Sequence, residues 1–252
     1  MTVLSGKPTF GAGRIILTGN YTNPTPIRAA TPQSQSVDFK RKTESLYGEN
    51  MLPEAVAAGE MEIMGKVEYA KAVARIISDL MFQDGSSTGS YALANLEAGT
   101  VGATTPYHYS PVNVATFVAD GGVKNATTGA LYACVAAGSE VAGKSYSVTA
   151  GVYQFAATDA SANILVSYVY SVTGTGETIS LANQLQGPGT SFQAVHTFIW
   201  GTEQDMIVLN NCVASANSIA AKKSGFGTNS LDYVAGVNAS GLLGTATFAE
   251  AA

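Results

Sequence analysis

The sequence predicts a mainly β protein with one flanking α-helix, and three observations support this. Alanine, glycine, threonine and serine supply 112 of the 252 residues, and such small residues suit closely packed sheets and short turns. Two segments alternate charged and apolar side chains, as half-buried strands do. Only 12% of the residues are charged, about half the usual quarter, and nearly half of those charges lie in residues 36–84.

The two alternating segments are the clearest strands in the chain. Four even positions of the first segment, residues 36–46, are charged: Asp38, Lys40, Lys42 and Glu44. Four even positions of the second segment, residues 60–69, are charged as well: Glu60, Glu62, Lys66 and Glu68. Apolar side chains such as Phe39 and Ile63 take odd positions between them. Each segment therefore predicts a strand with one charged face.

The connection between these strands is longer than the two to five residues that a hairpin needs. We predict a loop from Tyr47 to Gly59, and connections of this length usually have a function. Its members include Tyr47, Gly48, Glu49, Asn50, Met51, Leu52, Pro53 and Val56. A flexible surface loop is the alternative.

A change of period after the second strand predicts an amphipathic helix. Apolar residues follow helical spacing at Tyr69, Val73, Ile76, Ile77 and Leu80, and the charged residues lie opposite them. We predict a helix of about 13 residues that ends near Asp84-Gly85. Such a stripe usually faces a core, and a partner-binding helix is the alternative.

Further strands are predicted from β-branched and aromatic runs. They cover residues 112–118, 131–136, 145–148, 152–155, 164–172, 191–200 and 205–213. The glycines at 174–176 predict a break after the fifth of these. The tail, residues 224–252, alternates short apolar pieces with Gly and Asn, which predicts surface arms or edge strands.

The charge balance argues against a nucleic-acid-binding surface. The formal net charge is −5 and the isoelectric point is about 5.0, whereas phosphate binding needs clustered Lys and Arg. No apolar run is long enough to predict a membrane span or a secretion signal, so we expect a soluble chain made in the cytoplasm. Cys134 and Cys212 match no metal or redox spacing and are expected to be isolated, buried thiols.

The sequence offers little for catalysis. His108 and His196 are the only histidines, and neither lies in a recognisable catalytic motif. We expect His196 to be a core histidine and His108 to be a loop residue. Gly11 to Arg14 is too short for a dinucleotide fingerprint and predicts a turn. No catalytic residue, metal or cofactor is predicted, and a β-fold hydrolase is the weakest of the functional hypotheses.

The order of elements resembles the major tail tube proteins of long-tailed, siphovirus-like bacteriophages. A charged-face strand is followed by Leu46-Tyr47-Gly48-Glu49-Asn50 with Pro53, by a second such strand and by a helix that ends in Leu80-Met81-Phe82. Downstream, Gly143 to Phe155, Ile164 to Tyr170 and Leu209 to Val213 resemble strand blocks of such proteins. The resemblance covers roughly residues 36–84 and 143–250.

The resemblance implies a fold of two packed antiparallel sheets, a tail-tube-type β-sandwich or barrel with one flanking α-helix. Residues 1–85 and 143–252 would form the tube domain, and residues 86–142 would be an outward-facing insertion. The family is not enzymatic. Its subunits polymerise into stacked hexameric rings in the virion tail, which is assembled in the cytoplasm of the host bacterium, and the rings form a conduit for DNA ejection.

The resemblance also assigns roles to the segments above. The eight charged residues would face the lumen with a net charge of −2 per subunit, so that DNA passes without specific binding. The loop from Tyr47 to Gly59 would reach a neighbouring subunit or ring, and residues 2–32 and 224–252 would be inter-ring arms. The implied partners are further copies of the chain and the tape-measure, tail tip and terminator proteins.

A second functional hypothesis is another virion surface component, either a capsid decoration protein or a tail-tip adhesin. Its middle region would bind a receptor or a glycan. The cluster of Tyr107 and Tyr109 motivates this hypothesis.

Overall fold

The structure is a computed structural model that describes residues 11, 13–29, 31–47, 49–82, 86–183 and 189–249. The chain divides into two compact units. Unit 1 comprises residues 1–86 and 179–252, and unit 2 comprises residues 87–178. Unit 2 therefore ends at Thr178, whereas the predicted insertion ended at residue 142.

The elements follow one another in this chain order. Before unit 2 come β1 (Arg14–Gly19), β2 (Ile27–Arg28), β3 (Pro32–Tyr47), β4 (Pro53–Tyr69) and α1 (Ala74–Ile77), which continues as a π-helical turn (Ser78–Phe82). Then come β5 (Ser86–Thr100), β6 (His108–Tyr109), β7 (Phe117–Asn125), β8 (Ala133–Cys134), β9 (Ser145–Thr149), β10 (Val152–Phe155) and β11 (Asn163–Ile179). The last are β12 (Ser191–Trp200), β13 (Glu203–Ser218), β14 (Asn229–Gly236) and β15 (Gly244–Thr247).

Unit 1 is built on one antiparallel sheet of eight strands. Its order is β2-β1-β12-β13-β14-β4-β3, and β15 also pairs with β13. The long strand β13 pairs with β12 through residues 203–213 and with β14 through residues 211–218. It is therefore shared by two halves of the sheet. These halves fold over each other, because Gln35 of β3 hydrogen-bonds to His196 and Thr197 of β12, although these strands are far apart in the sheet order.

The core of unit 1 lies between the two halves. Its largest buried side chains come from both of them and from the helix: Ile15, Leu17, Tyr69, Ile76, Leu80, Phe192, Leu209 and Tyr233. Hydrogen bonds join the helical segment to the rest of unit 1. Arg75, which forms an ion pair of 2.7 Å with Asp79 of the same segment, donates a hydrogen bond to the Thr25 carbonyl oxygen, and Thr190 Oγ1 donates one to the Leu80 carbonyl oxygen.

The predicted helix is present but shorter than expected. Val73, Ile76 and Leu80 pack on the core as the spacing predicted. Tyr69, however, is the last residue of β4 and pairs with Asn229 of β14. The apolar positions 63, 67 and 69 continue the period of two, so Tyr69 fits both patterns and the strand takes it. The predicted end near Asp84-Gly85 lies outside the described residues.

Unit 2 contains two smaller sheets. Four strands have the order β6-β10-β9-β8, and three have the order β5-β11-β7. Its core is rich in tyrosine and comprises Val101, Val123, Tyr132, Tyr146, Tyr153, Phe155, Ile164, Val166 and Tyr168. The strand β11 runs through Gly174 and Gly176, where a break was predicted. Both glycines have a φ of +82°, a conformation that glycine adopts without strain.

The predicted terminal arms are wrong in part, because both terminal segments contribute strands to the sheet. The strand β1 lies between β2 and β12, and it contributes Ile15 and Leu17 to the core. The strand β14 lies inside the sheet between β13 and β4. Each of these strands has only two or three buried residues, which is too short an alternation to stand out in the sequence. Residues 1–10 and 250–252 lie outside the described residues.

The predicted fold class is confirmed: the protein is mainly β, with antiparallel sheets and one helix. The predicted strands at 191–200 and 205–213 correspond to β12 and to most of β13. The segments 112–118 and 131–136 are largely irregular and contain only the start of β7 and the two residues of β8. None of the helical segments in the described ranges has the length and hydropathy of a membrane span.

Candidate functional site

The strands β3 and β4 form one long antiparallel hairpin, and this hairpin holds most of the residues that the sequence singled out. We call residues 32–39 and 63–69 the base, and residues 40–62 the arm. The base is part of the sheet, because β4 pairs with β14 through residues 63–69. In the arm, every described residue is exposed except Pro53, which is half-buried. The arm therefore projects beyond the sheet with both faces open to solvent.

The predicted loop from Tyr47 to Gly59 is wrong in form. Pro53 to Gly59 belong to β4 and pair back onto β3, for example Val56 with Ser45. Only a short connection remains, in which Glu49, Asn50, Met51 and Leu52 lie; Gly48 is outside the described residues. The strand was missed because residues 53–59 alternate no polar and apolar side chains, and an arm exposed on both faces requires no such alternation.

The register of the hairpin brings the eight predicted charged residues to one face, which we call the charged face. Lys40 lies directly opposite Glu62. A bulge follows, at which β4 has one extra residue near Gly59. Beyond the bulge Lys42 still reaches Glu60, with 3.1 Å between Nζ and Oε2. In an antiparallel pair, opposite residues share a face, so the remaining members are Asp38, Glu44, Lys66 and Glu68.

Polar contacts organise the charged face at the base. Ser34 Oγ donates a hydrogen bond of 2.8 Å to Glu68 Oε2, and Lys66 Nζ lies 3.2 Å from Glu68 Oε1. The hydrogen bond from Ser34, together with Lys66, lowers the pKa of the Glu68 carboxyl group. Glu68 therefore stays charged at neutral pH.

Asp232 belongs to the charged face and was not found from the sequence. It lies in β14 directly opposite Lys66, between the core residues Leu231 and Tyr233. Its Oδ1 atom is buried and accepts no hydrogen bond from the described residues. The signal that could have found it is the alternation Leu231-Asp232-Tyr233, which is only three residues long. With Asp232 the charged face has six acids and three bases.

The arm also exposes large apolar side chains. Met51 is 97% exposed and Leu52 is 78% exposed at the tip. Further along the arm, Leu46, Tyr47, Val56 and Met61 are more than half exposed. Scattered exposed apolar residues are ordinary, but a cluster on one protruding element indicates a contact surface.

His196 is a core residue, as predicted, and it joins the two halves of unit 1. Its Nδ1–H donates to Gln35 Oε1 at 2.9 Å, and Gln35 Nε2 donates to the Thr197 carbonyl oxygen. Its Nε2 accepts a hydrogen bond from the Tyr233 hydroxyl group. Burial lowers the pKa of His196 to about 4. A neutral imidazole satisfies these contacts, so His196 is a structural link between strands.

The remaining candidate chemistry is dispersed. His108 is exposed in β6 and pairs with Gln154. Cys212 is buried, which confirms its prediction, and burial raises the pKa of its thiol to about 12. Cys134 is exposed, so its predicted burial is wrong: it lies in β8, a two-residue strand at a sheet edge. The described ranges hold no group of three or more His, Cys, Asp or Glu side chains placed to bind a metal ion.

In unit 2 the conspicuous polar groups are structural carboxylates. Glu97 accepts hydrogen bonds of 2.6 Å from the hydroxyl groups of Tyr109 and Tyr168. Burial alone would raise the pKa of Glu97, but these bonds and one from the Val112 N–H lower it overall. Asp120 accepts hydrogen bonds from Tyr146 and Tyr153 in the same way.

A backbone feature places Glu97 in this core. Leu96 has a φ of +58°, an uncommon conformation for a residue with a branched side chain. It interrupts the alternation of β5, so that Leu96 is 42% exposed while Glu97 points inward. Tyr107 and Tyr109 also pack against the core of unit 2. Both residues, which motivated the hypothesis of a receptor or glycan site, are therefore half-buried.

Contacts within the described chain therefore explain neither the charged face nor the exposed apolar side chains of the arm. Neither has the geometry of a catalytic centre. No protein-family model matches the chain, and no curated protein matches it in sequence.

Proposed function

We propose that the protein is a structural subunit that polymerises into stacked hexameric rings, which form a phage tail tube. The observation that carries this proposal is the arm, which has no cover on either face within the described chain. A two-stranded ribbon is at best marginally stable in water by itself. Contact with another copy would cover its apolar side chains, among them Met51 and Leu52, and stabilise its strands.

The distribution of charge supports the same function. Only 12% of the residues are charged, which is little for a surface that must stay solvated alone. Eight of the charges lie on one face of one hairpin. A subunit that buries its outer surfaces against neighbours needs few charges there, and it keeps them where it still meets water or DNA.

The charged face would line the lumen. The eight residues carry a net charge of −2, and Asp232 adds one further negative charge. Six copies of such a face repel phosphate overall, so DNA slides past without adhering. The interleaved lysines reduce the repulsion between the copies. In this function the protein is not an enzyme, and it acts in the virion tail after assembly in the host cytoplasm.

Three kinds of partner follow from a tube function. Further copies of the chain contact the arm. Tape-measure, tail tip and terminator proteins contact the tube lumen or its ends. DNA passes through the lumen without a sequence-specific site, which agrees with a charged face that holds more acids than bases.

Electron microscopy and light scattering on the purified chain test the proposal. We expect the wild type to form rings or tubes. The double variant Met51→Ser/Leu52→Ser should remain monomeric and keep the circular dichroism spectrum of a folded chain, because both side chains are exposed in the single chain. The control is Leu131→Ser, which removes a side chain that is 81% exposed in the predicted outward-facing segment and should leave assembly intact.

A wild type that stays strictly monomeric at high concentration would overturn the proposal. So would a tip variant that assembles like the wild type. The lumen assignment has its own test in phage that carry Glu68→Lys, a residue of the base. Slower DNA ejection at low salt, relieved at high salt, supports a lumenal charged face because salt screens exposed charges; an unchanged ejection rate contradicts it.

A further inference from the structure

Unit 2 begins and ends on two strands that pair with each other. The chain passes between the units twice, at residues 86–87 and at residues 178–179. The first passage lies in β5 and the second in β11, and these two strands are neighbours in one sheet. We call residues 87–92 and 171–178 the stem. Both chain connections of unit 2 therefore run through the stem.

The stem lies outside the core of unit 2. The residues of β5 and β11 nearest the stem that pack against this core are Ala94 and Tyr170. The structure describes every residue of the stem, and none of them belongs to the core of either unit. Residues 173–177 are exposed, as is Tyr91 on the other strand. Two strands without core contacts are at best marginally stable, so the stem is held less firmly than the rest of its sheet.

Three glycines of the stem have a positive φ. The angle is +138° at Gly89 and +82° at both Gly174 and Gly176. Glycine adopts positive and negative φ about equally readily. Each of these residues can therefore change its backbone angles at little cost in free energy. The sequence predicted a break at residues 174–176, and the structure has there a continuous strand with two points of backbone freedom.

The glycines of the two strands are neighbours across the stem. A Cβ atom on Gly176 would lie 2.6 Å from the Cβ atom of Ser90 and 3.4 Å from the Gly89 carbonyl oxygen. A Cβ atom on Gly89 would lie 3.5 Å from the Val172 carbonyl oxygen. A paired ribbon bends sharply only where both of its strands change direction together. The stem has conformational freedom on both strands at the same level.

Side-chain hydrogen bonds join the two strands at the end of the stem that leads to unit 1. Thr178 Oγ1 donates a hydrogen bond of 2.8 Å to the Gly89 carbonyl oxygen. Ser87 Oγ donates one of 3.5 Å to the Thr178 carbonyl oxygen. At the other end, Ala94 and Tyr170 pack against the core. The strands are thus held on both sides of the glycines, so the stem can bend there without coming apart.

We propose that the stem is a hinge, in which Gly89, Gly174 and Gly176 absorb the change of backbone angles while the core of unit 2 pivots as one body. Hinges consist of a few residues that absorb such changes, and these residues are often small. The core of unit 2 has two sheets and its own set of buried side chains, so it keeps its structure as it moves. This inference does not depend on the proposed assembly, because it involves no contact between copies.

Residual dipolar couplings of the backbone amide groups test the hinge in the full-length chain. They average over motions as slow as milliseconds, which includes the microsecond-to-millisecond range of domain hinges. The measurement uses a sample that light scattering shows to be monomeric, in an uncharged aligning medium. We expect the two units to give different alignment tensors, with a loss of alignment in unit 2 relative to unit 1.

The variant Gly174→Asn tests whether the glycines are the pivot. Asn tolerates a positive φ better than most residues, and a Cβ atom on Gly174 would have no heavy atom within 4 Å. Asn has less backbone freedom than Gly, so the alignment of unit 2 should rise toward that of unit 1. The matched control is Gly201→Asn, in the turn between β12 and β13. Gly201 also has a positive φ and open surroundings, and its substitution should leave the alignment of unit 2 unchanged.

Different tensors in the wild type, together with stronger alignment of unit 2 in Gly174→Asn alone, support the hinge. A single tensor that fits the couplings of both units in the wild type overturns it. If the wild-type tensors differ but Gly174→Asn keeps the full difference, the pivot does not lie at these glycines and the proposal is overturned as well. Unchanged amide chemical shifts of residues 164–170 show that the variant retains the core of unit 2.

Discussion

The base and the arm of the hairpin consist of the same two strands, yet only the base is held by the rest of the chain. In the base, β4 has a strand on each side and its odd residues are buried, as at Ile63 and Val67. In the arm, both faces and both outer edges are open. The two parts of this hairpin therefore have different roles: the base contributes folding stability, and the arm contributes contact surface.

The largest loss of unfolding free energy is expected in the base, and it is measured against a residue of the arm on the same face of β4. Ile63 is 4% exposed and Met61 is 51% exposed, and they are two residues apart. Ile63→Ala should lower the free energy of unfolding by about 3 to 4 kcal/mol, because it leaves a cavity in the core. Met61→Ala should change it by less than about 0.5 kcal/mol. Urea unfolding in the Met51→Ser/Leu52→Ser background measures both without a contribution from assembly; equal losses would mean that the arm is covered within the chain.

The second prediction concerns His196, whose hydrogen bond to Gln35 joins β12 to the base. Burial lowers the pKa of His196 to about 4, from 6.5 in the unfolded chain. As the pH falls, the unfolded chain binds the proton first, so the stability is complete above about pH 6.5 and is lost progressively down to about pH 4. The loss amounts to about 3 kcal/mol, at about 1.4 kcal/mol per pH unit.

Chemical unfolding as a function of pH measures this loss. His196→Gln should abolish the slope between about pH 6.5 and about pH 5, above the range in which carboxyl groups with a lowered pKa, such as Glu97, contribute. His108→Gln should keep that slope because His108 is exposed. A wild-type unfolding free energy that stays flat over this range would show that His196 does not limit the acid stability of unit 1.

The third effect compares two glycines of β4. A Cβ atom on Gly65, in the base, would lie 2.2 Å from Cζ of Tyr233 and displace that ring from the core. Gly65→Ala should therefore cost about 2 kcal/mol of unfolding free energy by overpacking. A Cβ atom on Gly59, in the arm, would lie 3.3 Å from the Lys42 carbonyl oxygen, and Gly59→Ala should stay within about 1 kcal/mol of the wild type. Thermal unfolding of both variants ranks them, and the reverse order would refute the division into base and arm.

The smallest effect concerns the charged face, where base and arm should behave alike. Lys42→Gln removes the arm ion pair with Glu60, and Lys66→Gln removes the base ion pair with Glu68. Both pairs are open to solvent, so each variant should change the unfolding free energy by less than about 1 kcal/mol. If Lys66→Gln lowered the unfolding free energy more than Ile63→Ala, the charged face rather than the buried face would stabilise the base.

The charged parity of β4 was predictable because one face of its base is buried, and burial imposes a period of two. In β3 the same parity appears with weaker burial, since Val37 is half-buried and Phe39 is 56% exposed. The extension of β4 back to Pro53 was not predictable for the opposite reason. Neither face of the arm is buried, so Ala55, Val56 and Ala57 follow no pattern. The sequence therefore indicated the two charged strands but assigned a loop to part of β4.

The other features that the sequence did not predict depend on strands that pair with segments far away in the chain. The strand β14 has only Asn229, Leu231 and Tyr233 as buried residues, and its partner β4 lies about 160 residues earlier in the chain. No local pattern shows that such a short segment completes the centre of a sheet, or that Asp232 joins the charged face. The extension of unit 2 to Thr178 was missed in the same way, because β11 pairs with β7, which lies inside the predicted insertion.

The late position of β14 also fixes an order of events during synthesis. The hairpin leaves the ribosome long before its partner strand exists, and all of unit 2 is translated in between. During that interval the apolar face of β4 is exposed to solvent, and exposed apolar strands promote aggregation. The glutamates and lysines between its apolar residues act as gatekeepers in that period. The same charges that would later meet DNA therefore protect the nascent chain first.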